Sequence, residues 1–191
     1  MSEIKSLAAP KASFDRRAVV KGAAWSVPVI AAAIAAPAAA ASERSATAAF
    51  LALTGNTKYH LRGSESAPSN DKNGKGTKGF TITNSASGAI TGAISGTIII
   101  TPGSANTDLN VYSLNSTGLP VTLSADSDAS TGYRASFITG STTIAPNGSL
   151  VFNLTYNYAA STPNGTGSMT VLLNFPGGRS LTLGPTALTL G

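Results

Sequence analysis

The 191-residue sequence predicts an all-β sandwich behind an N-terminal export segment. Three observations carry that prediction. From Ser42 onward, short apolar runs alternate with polar residues. Turn residues separate these runs at intervals of roughly ten positions. No amphipathic helix of useful length interrupts them, and Ser, Thr, Gly, Ala and Asn dominate the composition.

Taken in chain order, the alternation predicts strands at 48–53, 80–83, 94–101, 110–114, 121–124, 133–139, 150–158, 168–175, 180–183 and 187–190. The clearest is 150–158. It sets Leu150, Phe152, Leu154, Tyr156 and Tyr158 on one face and Asn153, Thr155 and Asn157 on the other, so the aromatic face is core. Turn chemistry separates the strands. Asn147-Gly148 and Asn164-Gly165 tolerate positive φ, with Pro146 and Pro163 setting the entry to each turn. Pro176-Gly177-Gly178 reads as a hairpin loop, and Pro102-Gly103 ends the Ile98-Ile99-Ile100 strand because proline cannot continue a ladder. Residues 58–79 are polar and nearly without apolar side chains after Leu61, which reads as a long mobile loop.

The N-terminal segment is organised differently. Asp15-Arg16-Arg17-Ala18-Val19-Val20-Lys21 has the pattern of a twin-arginine export motif: a polar residue, two arginines, a run of apolar residues and a lysine. Paired guanidinia present bidentate donors to an acidic receptor. An uncharged, Ala-dominated stretch follows from Gly22 to Ala41, ending in small residues. Ala39, Ala41 and Ser42 form the expected signal-peptidase site, with cleavage after Ala41 and Ala40 as the near alternative. Retention as a membrane anchor is the alternative, since the stretch is just long enough to span a bilayer; Pro28, Pro37 and the weak hydrophobicity of alanine argue against it. The expected organisation is therefore a signal peptide over 1–41 and a secreted domain over 42–191, with the export machinery and signal peptidase as first partners.

Two resemblances follow from these residues. Arg16-Arg17-Ala-Val-Val-Lys-Gly-Ala-Ala-Trp-Ser-Val-Pro-Val-Ile-Ala resembles the leader of small secreted proteins of high-GC Gram-positive bacteria. That implies an actinobacterial exported protein with an envelope or extracellular destination. In the body of the chain three stretches stand out: Phe80-Thr-Ile-Thr-Asn84, Thr101-Pro102-Gly103, and Ile144-Ala-Pro-Asn-Gly-Ser-Leu-Val-Phe-Asn-Leu154. Together they resemble the immunoglobulin-like modules of bacterial surface proteins. The resemblance implies an immunoglobulin-like β-sandwich preceded by a signal-peptide helix, and it implies no chemistry, since such sandwiches serve adhesion, spacing and binding alike. The sequence departs from an array in lacking a second repeat.

Composition narrows the function further. Of the net charge of +5, the segment before residue 42 holds +3, leaving +2 for the rest. A surface that neutralises nucleic-acid phosphates keeps a denser basic face, so nucleic acid is not an expected partner. Absence of cysteine removes thiol nucleophiles, thiolate metal sites and disulfides. His60 is the only histidine, which leaves no multi-histidine metal cage, and beside a polar loop it has no rigid partner for a triad. Asp126 and Asp128 could serve a calcium loop, but Thr131 and Phe137 stand where glycine and a bidentate glutamate belong, so a turn explains them better. Sequons at Asn115, Asn147, Asn153 and Asn164 follow from composition. Tyr133, Phe137, Phe152, Tyr156 and Tyr158 could form a sugar-binding platform, but at strand spacing they read as core. Arg62, Lys72, Lys75 and Lys78 make a weak anion-binding loop for wall polymers, against which solvated charge is the simpler account. No catalytic residue, metal or cofactor is expected, and the chain reads as a non-enzymatic structural, adhesive or interaction module. Its remaining expected partners are cell-wall polymers or other surface proteins. A carbohydrate- or wall-polymer-binding module is the alternative.

Overall fold

The computed structural model describes residues 45–52, 56–103, 108–125 and 132–191, all within the unit Arg44–Gly191. The expected export motif (Arg16, Arg17, Lys21), the cleavage site (Ala39, Ala41, Ser42), and Asp126 and Asp128 lie outside the described residues. So does position 53 of the first predicted strand.

The fold is all-β. In chain order the strands are β1 (Ala46–Phe50), β2 (Thr57–Leu61), β3 (Lys72–Lys75), β4 (Gly79–Asn84), β5 (Ile90–Gly92), β6 (Ser95–Pro102) and β7 (Leu109–Ser116). They continue with β8 (Val121–Ala125), β9 (Tyr133–Thr139), β10 (Thr142–Ile144), β11 (Ser149–Tyr158), β12 (Gly165–Phe175) and β13 (Arg179–Leu190). A 3-10 turn, Pro68–Asn70, precedes β3. Eleven strands share one sheet in the order β1-β4-β11-β2-β3-β13-β12-β6-β9-β8, with β7 branching from β11, while β5 and β10 pair separately.

The sheet forks at β11. Its first half pairs antiparallel with β4, from Ser149↔Thr83 to Asn153↔Gly79. Its second half pairs parallel with β2, from Tyr156↔Tyr59 to Tyr158↔Leu61. Between them Leu154 donates its N–H to the Lys78 carbonyl at 2.8 Å, which keeps that donor paired where the partners change.

Strands far apart in the pairing order meet through their side chains. Phe80 of β4 and Phe152 of β11 stack with centroids 4.8 Å apart, and Phe137 of β9 lies 6.3 and 6.0 Å from them. The two ends of the sheet therefore face each other across one aromatic and aliphatic core, joined by Ile82, Ile98, Ile100, Val171 and Leu173. Strand period two explains the arrangement: β9 alternates buried and exposed at every position. Burial on this scale, at roughly 25 cal/mol per Å² of apolar surface, replaces the disulfides the chain lacks.

The strand bounds at 133–139 coincide with β9, and the predicted face of 150–158 is the buried face of β11, with Leu150 partly buried at its margin. Pro102 closes β6, Asn147 adopts φ 60°, and Gly177 and Gly178 turn the β12–β13 hairpin at φ 90° and 81°. Three expectations change. The two strands predicted at 180–183 and 187–190 are one, β13. Its ladder with β12 skips from Leu183↔Val171 to Thr186↔Met169, and this bulge accommodates Gly184 and Pro185, whose missing N–H would break a regular ladder. Asn164 is not among the residues with positive φ, so no turn there depends on that conformation. Residues 58–79 are not one long loop: they hold most of β2, the 3-10 turn and β3. The physical reason lies in four buried or half-buried hydroxyls described below.

Replacing Phe152 with alanine should cost about 3–5 kcal/mol, because it removes a fully buried ring with two aromatic neighbours. Gly96→Ala should cost about 1–3 kcal/mol, because the new methyl would meet the Leu172 carbonyl and the Phe137 ring. Urea midpoints with unchanged m-values check both, and an unshifted midpoint for Phe152→Ala would contradict this core.

Candidate functional site

The polar segment from Thr57 to Thr77 is held by hydroxyls. Tyr59 and Tyr156 are fully buried with ring centroids 5.3 Å apart. A buried phenol needs an acceptor, and each takes a backbone carbonyl: Tyr59 Oη donates to Lys75 at 2.9 Å and Tyr156 Oη to Thr77 at 2.7 Å. Tyr158 donates to the Asn70 carbonyl at 2.6 Å, and Thr57 Oγ1 to Gly76 at 2.6 Å. Burial pushes the Tyr59 and Tyr156 phenols far up from their ordinary range. Tyr133, whose hydroxyl donates to Val111, is pushed up to about 12 for the same reason.

Around these pins the charged residues pair locally. His60 Nδ1 lies 2.8 Å from Asp71 Oδ1, and the Asp71 side chain is only 5% exposed. The expectation that His60 has no rigid partner is thus corrected, because β2 and the turn before β3 set the two side chains together. Lys58 reaches the same carboxylate at 3.6 Å but is largely exposed, a geometry worth little. Arg62 forks onto Asp108 at 2.9 and 3.3 Å. Asn110, with its amide turned to suit both neighbours, accepts from Arg62 and donates to the Leu109 carbonyl. Glu65 accepts from Asn157 Nδ2 at 2.9 Å and from the Gly63 N–H at 3.1 Å. These hydrogen bonds, Asn157's first, hold the Glu65 carboxyl below its ordinary value. Asn157 is itself buried, and its Oδ1 has no hydrogen-bond partner among the described residues.

The four cations expected to form one anion-binding loop are distributed among separate roles. Arg62 is engaged by Asp108. Lys72 donates to the Thr162 carbonyl at 3.0 Å and to Asn164 Oδ1 at 3.4 Å, with its ammonium 5.0 Å from the centre of the Tyr158 ring. Lys75 is exposed on β3, and Lys78 borders a shallow groove at the sheet fork together with Lys58, Asn153 and Thr155. The five candidate platform aromatics are buried and present no ring to a sugar, while Tyr112 on β7 is half exposed.

A second feature lies on the sheet itself. Seven of the ten Lys, Arg, Asp and Glu residues among the described ones fall between Lys58 and Lys78. The outward positions of β6, β8, β9 and β12 are almost without charge: nine of fourteen carry Ser or Thr, and Arg134 is the single ionised group. Register places Leu172, Thr97, Ser136 and Ser124 in one row across four strands, with Ile138 in the row beside it and half exposed. Sequence periodicity fixes each residue's side of its own strand, but only pairing shows that the rows line up. A separate apolar cleft between Ala46 and the Phe175 to Leu181 turn measures about 100 Å³, below the 300 Å³ or so of a small-molecule site.

No family model matches the chain, and no curated protein does. Among solved structures one similar chain is described as "AvmM Catalyzes Macrocyclization in Alchivemycin A Biosynthesis", at 11% identity over 78% of this chain and 87% of that one, with a TM-score of 0.36. A likeness of that size transfers neither topology nor activity.

The Glu65 contact gives a pH prediction. Its carboxyl titrates lower in the folded chain than in the unfolded one, so its stabilisation is present above the unfolded value near 4.5 and is lost as pH falls through the lower folded value. The melting-temperature gap between wild type and Glu65→Gln should be widest near neutrality and close on acidification below that point. A gap independent of pH would show that the carboxylate charge plays no part.

Proposed function

We propose that this chain is a non-enzymatic exported protein of the cell envelope or extracellular space, an interaction module built on an immunoglobulin-like β-sandwich. The observation that carries the reading is the segregation of polarity. Charged groups cluster at the β2–β3 end and largely satisfy one another, while a broad sheet face offers hydroxyls and methyls. Such a face suits contact with an uncharged partner and repels polyanions no more than it attracts them.

The layered arrangement supports the sandwich. Strands β1, β4, β11 and β7 make one layer and β13, β12, β6, β9 and β8 the other, with the Phe80, Phe137 and Phe152 rings between them. The Arg16-Arg17 motif supports export through the twin-arginine route, which moves folded proteins and so suits a domain stabilised by burial rather than by oxidation outside the cell. Internal engagement of Arg62 and Lys72 weighs against a wall-polymer site in the 58–79 region.

Cell fractionation tests the reading. Produced in a twin-arginine-competent bacterium, the wild-type protein should be recovered from the medium or envelope with Ser42 at its N-terminus. The Arg16→Lys/Arg17→Lys variant should stay inside with the leader attached. Soluble cytosolic wild type still bearing Met1 would overturn it.

A further inference from the structure

We propose that the Asn164-Gly165 turn is a site of spontaneous deamidation, promoted by the Lys72 ammonium, which converts the Asn164 side chain into a carboxylate. The inference goes beyond the reading of the chain as an interaction module and does not rest on it.

The sequence holds three Asn-Gly pairs, beginning at Asn73, Asn147 and Asn164. Glycine leaves the attacking nitrogen unhindered in each, and all three asparagines are exposed, so neither local chemistry nor access separates them. Backbone bonding does. Gly74 lies in the ladder between Thr57 of β2 and Leu190 of β13, and the Asn73 carbonyl accepts from the Gly191 N–H at 2.9 Å. At the second pair the nitrogen that would attack is engaged: the Gly148 N–H donates to the Ala145 carbonyl at 2.8 Å. The Asn84 backbone also bonds the Asn147 N–H at 2.8 Å and the Gly148 carbonyl at 3.0 Å. Asn164, by contrast, makes no backbone hydrogen bond among the described residues, and Gly165 opens β12 opposite Leu190, where β13 ends. Ladder ends fray at little cost, whereas the other two pairs must first break these bonds to bring the glycine nitrogen onto the side chain.

The Asn164 side chain is also activated. Its Oδ1 accepts from Lys72 Nζ at 3.4 Å, and the other partners of that ammonium among the described residues, the Thr162 carbonyl and the face of the Tyr158 ring, are neutral. The cation's field therefore favours negative charge on Oδ1, first in the tetrahedral intermediate and then in the product. The Gly165 nitrogen, its proton passing to hydroxide, attacks Asn164 Cγ. The new C–N bond closes a cyclic imide, and the side-chain nitrogen takes a proton and leaves as ammonia. Water adds to either imide carbonyl and opens the ring to aspartate or isoaspartate. Water is taken up and ammonia released, with nothing oxidised or reduced. The product sets an anion beside Lys72, which exchanges a neutral acceptor for a charged one.

The test incubates the purified chain, from whichever cell fraction holds it, in heavy-oxygen water at mildly alkaline pH and maps its peptides by mass spectrometry. Asn164 should convert about tenfold faster than Asn73 and Asn147 in the folded chain, and the three rates should converge in urea. Lys72→Met keeps the stem against the Tyr158 ring and removes the charge. It should slow conversion at Asn164 about threefold in the folded chain and leave the rate in urea unchanged, while Lys72→Arg restores it. Circular dichroism confirms that each variant is folded. Conversion of Asn73 or Asn147 ahead of Asn164 overturns the proposal, as does an Asn164 that stays intact while the unfolded chain converts. A folded Lys72→Met variant that converts as fast as wild type or faster overturns it too. Ammonia lost with no heavy oxygen taken up, and the peptides bearing Lys72 and Asn164 joined, overturns it by making Lys72 the nucleophile.

Discussion

Buried phenols govern how this chain holds its least apolar stretch. Tyr59, Tyr156 and Tyr158 each contribute a large ring to the core and each carries one hydroxyl that must find an acceptor there. The acceptors are the carbonyls of Lys75, Thr77 and Asn70. A segment with almost no apolar side chains is thus tied down by the needs of residues elsewhere, at one hydrogen bond per ring. Removing one partner would leave a buried donor unsatisfied, which costs more than the bond itself contributes, about 1–3 kcal/mol against about 1.

Once that segment is fixed, its charges acquire fixed neighbours. The 3-10 turn and β3 bring Asp71 to His60 and Lys72 to Tyr158, and the start of β7 is preceded by Asp108, which meets Arg62. One end of the molecule becomes a network of local pairs whose fields largely cancel at a distance. The sheet layers are left to hydroxyl residues, which keep their surfaces wet without the repulsion that Lys or Glu would impose between approaching molecules. The segregation of charge and the pinning of the polar segment are therefore one design feature viewed at two scales.

Much of the sheet was legible because period two is a local property. Tyr133 to Thr139 alternates without a fault, and the long run ending at Tyr158 announces its buried face by its aromatics alone. The β12–β13 hairpin was legible through Gly177 and Gly178, and the end of β6 through Pro102. What escaped depends on partners distant in sequence. Lys72–Lys75 is a strand because Thr57 to Tyr59 lies on one side and Thr189 with Leu190 on the other, and nothing in Lys-Asn-Gly-Lys signals that. Three-residue β5 and β10 are too short to show a period. The join of 180–183 to 187–190 depended on a bulge, and Pro185 reads in isolation as a break. The His60–Asp71 pair had no signal in the sequence beyond two polar residues eleven positions apart, whose approach is set by β2, the 3-10 turn and β3 acting together.

The edges of the sheet decide how such a domain can meet its neighbours. Unpaired backbone at the outer strands of an open sheet is a ready means of edge-to-edge association. Here β1 lies alongside β13, close enough that a side chain at Gly184 would press on the Phe50 ring. On the other flank β7 turns into β8 through the Ser116–Leu119 bridge, so the outer strands of the two layers stand next to each other. Edges that flank one another leave less room for an incoming strand than a free ribbon does, and a strand that added to one would have to clear the other. Backbone pairing is thereby disfavoured, and any association would fall to side chains on the faces. That shift matters because a face is self-limiting: two copies stacked through one face cover it and stop, whereas strand addition leaves a fresh edge each time and propagates.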